Sequence, residues 1–184
     1  LEPLASSAAV LEPDEKELGV CLVDIGGGTT DIAVFARGGI QFTGVIGLGG
    51  QNVTNDVAIG LRTSWPIAEE LKCKNASVDT MTVCDNEKIE IPRIADRPSQ
   101  FVSRQMLTEI VEARMEEIFI LVREKIGDRS RGLGSGIVLT GGGALMEGIV
   151  ELGEKIFGIP VRLGVPQQMV GMTDGVDSPS YATA

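Results

Sequence analysis

Apolar residues run almost unbroken through Gly19–Ile25 (GVCLVDI), Asp31–Ala36 (DIAVFA) and Ile40–Ile46 (IQFTGVI). Short runs of this kind, bounded by glycine clusters, read as three β-strands. Gly26-Gly27-Gly28-Thr29-Thr30 joins the first to the second as a tight hairpin, and Arg37-Gly38-Gly39 turns the second into the third. Leu48-Gly49-Gly50 breaks the strand pattern, and the period then becomes helical, with Asn52 or Thr54 as cap and Val53, Val57, Ile59 and Leu61 apolar. Ser64 followed by Pro66 opens a second helix running through Lys72.

Further along, Thr80–Cys84 and Glu87–Ile91 alternate polar and apolar positions around Asp85-Asn86, which predicts a two-residue β-hairpin. Pro92–Gln100 reads as a loop carrying Arg93 and Arg97. Phe101–Ile126 is the longest helical pattern, with Val102, Met106, Ile110, Val111, Met115, Ile118, Phe119, Val122 and Ile126 at steps of mostly three or four. Gly127–Gly134 ends it with glycine and a basic loop. A short strand over Gly136–Thr140 then meets Gly141-Gly142-Gly143, followed by a helix at 144–157 and a strand at Val161–Leu163. At the two ends, Leu1–Val10 reads as the end of an element and Leu11–Leu18, with Pro13 inside it, as an exposed connector. Gln167–Ala184 is loop-like, with the start of a helix at Pro179.

Composition narrows the functional classes. The 184 residues are 43% hydrophobic, enough for one domain or two small ones. A formal net charge of −10 with no basic stripe argues against nucleic acid as a partner. There is no histidine, which excludes a Ser-His-Asp hydrolase or a His-ligated metal within this chain. Cys21, Cys73 and Cys84 are odd in number and not in metal spacing, and are expected to be buried, reduced thiols. No apolar run approaches the roughly 18 residues of a membrane span. Leu1–Val10 lacks the basic start and long apolar stretch of a signal peptide.

Three motifs carry candidate chemistry. In Asp24-Ile25-Gly26-Gly27-Gly28-Thr29-Thr30-Asp31 the glycines permit positive φ and close approach of a ligand. Successive amides there can form an anion nest, with the Thr29 and Thr30 hydroxyls as extra donors. An aspartate at each end suits a hydrated Mg²⁺. Read from residues alone, the same turn is also a plain structural hairpin. Glu69 and Lys72 share a helix face, where the plain reading is a surface ion pair. Gly141–Gly143, between a strand and a helix, has the layout of a nucleotide site. Met146 stands at the third position of a Rossmann fingerprint and Ile149 where a P-loop needs lysine, so neither of those motifs is met.

The octet D-I-G-G-G-T-T-D resembles the second phosphate loop of the actin, Hsp70 and sugar-kinase ATPase superfamily. Together with Gly47–Asp56, Leu61-Arg62-Thr63, Ala68–Lys72, Gly136–Gly143, Glu2–Ser7 and Asp14–Val20, it resembles the bacterial FtsA family of cell-division proteins in particular. The resemblance spans nearly the whole chain and about the second half of the family's length. It implies an α/β fold: an actin-like ATPase half with an RNase-H-like mixed sheet over 1–72 and 135–184, and a small inserted α+β subdomain over 73–134. It implies ATP with Mg²⁺ as ligands. Gly26, Gly27, Gly28, Thr29 and Thr30 would hold the β- and γ-phosphates, with Asp24 and Asp31 on Mg²⁺ through water. Glu69 and Lys72 would reach the ribose, and Gly141, Gly142 and Gly143 the adenosine. No catalytic residue is assigned, because the other phosphate loop and the water-positioning residue would lie in the other half.

The same resemblance implies an adaptor that ties FtsZ filaments to the inner face of the cell membrane at the division site. The inserted subdomain would receive the FtsZ C-terminal tail at Arg104 and Arg114. These lie roughly 15 Å apart along one helix and about 80° apart around it. Self-association into actin-like filaments, and membrane attachment through a C-terminal helix outside this chain, belong to the same picture. A sugar kinase or polyphosphatase half and a shape-determining actin homologue are the competing members of the superfamily. LGGQNVTND and ADRPSQFVSRQ fit FtsA better than either.

Overall fold

The computed structural model describes residues 2–84, 86–91, 99–166 and 179. Two helices, α1 (Glu2–Val10) and α2 (Pro13–Leu18), precede three antiparallel strands, β1 (Val20–Ile25), β2 (Thr30–Ala36) and β3 (Gly39–Ile46). Helices α3 (Gly50–Gly60) and α4 (Trp65–Asn75) follow, then β4 (Lys88–Ile91), β5 (Gln100–Ser103) and the long α5 (Arg104–Ile126). The described chain continues with β6 (Ile137–Thr140), α6 (Ile149–Phe157) and β7 (Val161–Leu163).

The main sheet has the order β3-β2-β1-β6-β7. β1 pairs antiparallel with β2 but parallel with β6, and β6 parallel with β7, so the sheet is mixed. Every residue of β1 is buried because both faces of the sheet are covered. Cys21, Val23 and Ile25, with Ile32, Val34, Ile137 and Leu139, pack on the helical side. The alternate residues Val20, Leu22, Ala33, Phe35 and Val138 pack under Val10 and Leu11, at the end of α1 and just beyond it. This period-2 division is why the strand reads as a continuous apolar run.

Several sequence expectations are corrected. The charged connector is a helix: Pro13 occupies its first turn, where a missing N–H costs nothing. Glu15 accepts from the Glu12 amide at 2.9 Å and binds Arg162 of β7 in a two-pronged ion pair at 2.6 and 2.8 Å. Thr80–Cys84 is not a strand. Asp79 captures the Met81 amide with Oδ1 at 2.9 Å and accepts the Thr82 hydroxyl at its carbonyl, which closes a turn. β4 instead pairs with β5, Lys88 to Ser103 through Ile91 to Gln100. The long helix therefore starts at Arg104, where Ser103 Oγ accepts from the Met106 amide at 3.2 Å as an N-cap. Asp85 of the expected hairpin turn, the loop at 92–98 with Arg93 and Arg97, and residues 167–178 and 180–184 of the expected terminal loop and helix start lie outside the described residues.

The helix expected from Ala144 is also shorter. Gly142–Leu145 forms a 3-10 turn, and α6 begins only after Gly148, whose φ of +84° breaks the run. Glu147 is drawn into a bridge with Ser77, its carbonyl accepting from the Val78 amide at 2.8 Å. One buried cluster joins the sheet to α5 through Val111, Met115, Phe119 and Val122, and takes in Ile89, Ile91 and Val102 of the small sheet. A division at 73 and 134 thus passes through a shared core. Among the described residues, no helix is long and apolar enough to cross a membrane.

Candidate functional site

The glycine hairpin is closed by the Gly26 amide donating to the Thr29 carbonyl at 2.9 Å. The start of α3 is docked onto it: the Gly50 and Gln51 amides donate to the Gly26 and Gly27 carbonyls at 2.9 and 2.8 Å. A Cβ at Gly49 would lie 2.6 Å from the Gly26 oxygen, so this helix start requires glycine at 49. Gly26, Gly27 and Gly28 themselves do not have positive φ. The value of glycine there is open space: a Cβ at Gly27 or Gly28 would meet only the Gln51 side chain, at 3.6 and 4.0 Å.

The candidate phosphate hydroxyls divide. Thr29 is exposed and donates to Asp31 Oδ2 at 3.1 Å. Thr30 is fully buried and donates to the Leu48 carbonyl at 2.9 Å, which removes it from the open face of the loop. Asp24 and Asp31 stand opposite each other across β1 and β2, on one face of the sheet. Asp24 is buried, and its Oδ2 accepts from Ser6 Oγ of α1 at 2.7 Å. Among the described residues no three metal-binding side chains converge into a cage. Two carboxylates beside an open glycine loop fit a Mg²⁺ that is held chiefly by phosphate and water.

Glu69 and Lys72 are not a loose surface pair. Lys72 is only 11% exposed and donates to Glu69 Oε2 at 2.8 Å, to Thr54 Oγ1 at 2.9 Å and to the Gly50 carbonyl at 3.1 Å. Those are all three donors of an ammonium group, so the expectation that Lys72 itself bonds the ribose is not met by this geometry. Burial tends to raise the Glu69 carboxyl, but the hydrogen bonds from Lys72 and Thr54 outweigh it and hold the group below its ordinary value.

In the second triglycine turn the three residues do different things. Gly141 has φ +86° and lies against Asp24, and Gly143 lies against Ile25, where a Cβ would come within 2.3 Å of Ile25 Cγ2. Gly142 faces open space. Gly26 and Gly27 of the hairpin, the Glu69–Lys72 pair and Gly142–Gly143 line one cleft of about 350 Å³, whereas Asp24, Gly28, Thr29, Thr30, Asp31 and Gly141 are not part of its lining. That volume falls in the range of about 300–1,000 Å³ typical of small-ligand sites. Besides Gly50, the lining includes Gln51, Trp65, Cys73, Leu145 and Met146. These five escaped the sequence reading, because nothing in their local pattern separates a cleft wall from ordinary helix surface.

Of the cysteines only Cys21 is buried, and burial pushes its thiol up. Cys73 and Cys84 are exposed, contrary to expectation. Cys73 sits at the cleft, where burial and the neighbouring Glu69 raise its thiol. Arg104 and Arg114 both lie on α5 and both are engaged internally. Arg104 binds Glu87 at 3.2 Å, Glu147 at 2.7 Å and the Asn75 carbonyl at 3.0 Å. Arg114 forks onto Asp56 of α3 at 2.5 and 3.1 Å and also pairs with Glu117.

Comparison with known proteins agrees with this architecture. Solved structures with the same fold include MreB5 of Spiroplasma citri bound to AMPPNP, with a TM-score of 0.76 and 23% identity over 89% of this chain and 53% of that one. The ethanolamine utilization protein EutJ of Carboxydothermus hydrogenoformans matches with a TM-score of 0.66 and 22% identity, covering 99% of this chain and 50% of its own. These likenesses establish an actin-like fold. The cell division protein FtsA of Pseudomonas aeruginosa is 52% identical over the whole of this chain, which spans 44% of that protein. FtsA of Bacillus subtilis is 42% identical over the whole chain and 41% of its own length. The chain thus spans less than half the length of these relatives. The family model for cell division protein FtsA matches residues 21–184, and the chain belongs to the FtsA family.

Proposed function

We propose that this chain is the nucleotide-binding half of an actin-like cell-division adaptor that takes Mg²⁺ and ATP in the cleft. As part of the whole protein it would link FtsZ filaments to the cytoplasmic membrane. The supporting observation is convergence. Gly26–Gly27, Glu69–Lys72 and Gly142–Gly143, far apart in sequence, line the same cleft. Phosphate would lie along the open side of Gly27, Gly28 and Thr29. The sugar would meet Glu69, and the base would rest on Gly142, Gly143, Leu145 and Met146 with Trp65 at the rim. A magnesium ion would be held through water by Asp24 and Asp31, and would offset the charge of the phosphates. The role is binding, with turnover depending on the rest of the protein.

The test is titration with Mg·ATP, followed by calorimetry and by the fluorescence of Trp65, the single tryptophan of the chain. With half of the phosphate cradle present, the dissociation constant should be on the order of 0.1–1 mM. No heat and no change at Trp65 at several millimolar ATP would refute the reading.

The partner belongs to the same proposal. The FtsZ C-terminal tail, as an acidic and partly apolar peptide, would dock along α5 at Arg104 and Arg114. Both guanidiniums already have carboxylate partners, so the peptide must compete with Glu87 and Glu147 at Arg104 and with Asp56 and Glu117 at Arg114. Binding should accordingly be weak and salt-sensitive.

A further inference from the structure

We infer that Thr54 is a positioning residue of the cleft, which with Lys72 holds the Glu69 carboxylate so that one oxygen, Oε1, meets a ribose hydroxyl. This rests on the nucleotide reading of the cleft. Thr54 lies in the second turn of α3 and is fully buried. Its hydroxyl faces two acceptors, the Gly50 carbonyl at 2.9 Å and Glu69 Oε2, and accepts from Lys72 Nζ at 2.9 Å. Glu69 Oε2 is thereby pinned by both Lys72 and Thr54. Among the described residues Oε1 receives only the Cys73 thiol, at 3.4 Å, and a thiol is a weak donor that a sugar hydroxyl readily replaces. A hydroxyl donating to the carboxylate makes a charge-assisted bond.

The knot also reaches the other end of the ligand. Lys72 holds the Gly50 carbonyl, and the Gly50 amide holds the Gly26 carbonyl of the glycine hairpin. Lys72 therefore acts through Glu69 and the start of α3, with no donor of its own to give. Without the Thr54 hydroxyl Lys72 alone holds Oε2, and the carboxylate can turn about that one bond.

The experiment compares ATP with 2′-deoxy-ATP and 3′-deoxy-ATP on wild type, Thr54→Val and Thr54→Ser. Wild type should prefer ATP over at least one deoxy analogue by about fivefold or more. Thr54→Val should bring that ratio within twofold, and Thr54→Ser should keep it. A merely structural role for Thr54 would weaken all three ligands equally and leave the ratio intact, which would overturn the inference. So would a wild type that does not discriminate. A wild type that binds no nucleotide would instead sink the nucleotide reading itself. A ligand-free readout stands beside this: titration of the Glu69 carboxyl by NMR should move up in Thr54→Val and stay in Thr54→Ser. An unmoved titration in Thr54→Val would show that the hydroxyl does not hold Glu69.

Discussion

Gly141 is pressed against Asp24: a Cβ on the glycine would lie 2.5 Å from Asp24 Oδ1 and 2.6 Å from the Ile25 carbonyl oxygen. With φ at +86° as well, an alanine here has neither the space nor a favourable backbone. Gly141→Ala should lose about 2–4 kcal/mol of stability, from overlap and left-handed strain together. Gly142→Ala, next to it in open space, should stay within about 1 kcal/mol of wild type. Urea unfolding of the two variants checks the pair, and equal losses would contradict the division of roles.

At the first glycine turn the expectation is reversed. Gly27 lacks positive φ, and a Cβ there meets only the tip of Gln51. Gly27→Val should therefore keep its far-UV circular dichroism while losing Mg·ATP binding in calorimetry, because the methyls would fill the space left for phosphate. Unchanged affinity would remove the phosphate role from this turn.

Thr108 of α5 is fully buried, and its hydroxyl has no hydrogen-bond partner among the described residues. A buried polar atom without a partner is a net cost. Thr108→Val keeps the shape and removes that atom, and should raise stability by about 1 kcal/mol in chemical denaturation. A loss of similar size would mean that the hydroxyl is satisfied in solution.

Acid should expose the Glu69 contribution. Its folded carboxyl sits below the ordinary value of 4.5: burial opposes this, and the bonds from Lys72 and Thr54 prevail. A depressed carboxyl stabilises the fold above its unfolded value, and that gain is lost as pH falls through the folded value. At pH 7 Glu69→Gln should be less stable than wild type. The gap should close as pH drops below 4.5, read as urea midpoints across the range. A gap that widens with acid would invert the sign and refute the assignment.

The tail-docking proposal makes a prediction through Arg114. Asp56 of α3 holds its guanidinium at 2.5 and 3.1 Å. Asp56→Asn removes one carboxylate partner of the arginine, leaving Glu117, and should tighten an FtsZ tail peptide severalfold in fluorescence anisotropy, with the gain shrinking at high salt. If affinity is unchanged or falls, Arg114 is a structural tie between α3 and α5 and the peptide surface lies elsewhere.

What the amino-acid order determined here is local. The β1–β2–β3 hairpins, the apolar stripe of α5 and the two triglycine turns follow from period and turn chemistry over a few residues. Some signals were present and outweighed: Ser103 marks the start of α5, Pro13 suits the first turn of α2, and Asp79 suits a turn over 80–84. At Ser103 and Asp79 the signal competed with a hydrophobic pattern that pointed the other way, and at Pro13 the charge of Leu11–Leu18 reads equally as an exposed connector. The β4–β5 pairing could not be read locally: Thr80–Cys84 alternates polar and apolar positions, whereas Gln100–Ser103 sets Phe101 beside Val102, and only the folded chain buries Val102 and pairs it with Ile89.

The tertiary structure alone decided which candidate groups face the cleft. Thr29 and Thr30 are adjacent and chemically alike, yet strand alternation turns Thr30 inward onto Leu48. Gly142 is open while Gly141 and Gly143 are pressed on β1. Lys72 is read from spacing as half of a surface pair, but the docking of α4 on α3 surrounds its ammonium with three acceptors. Local sequence sets propensity and side-chain chemistry. Which donors remain for a ligand depends on contacts between residues distant in the chain, and those exist only once the elements have packed.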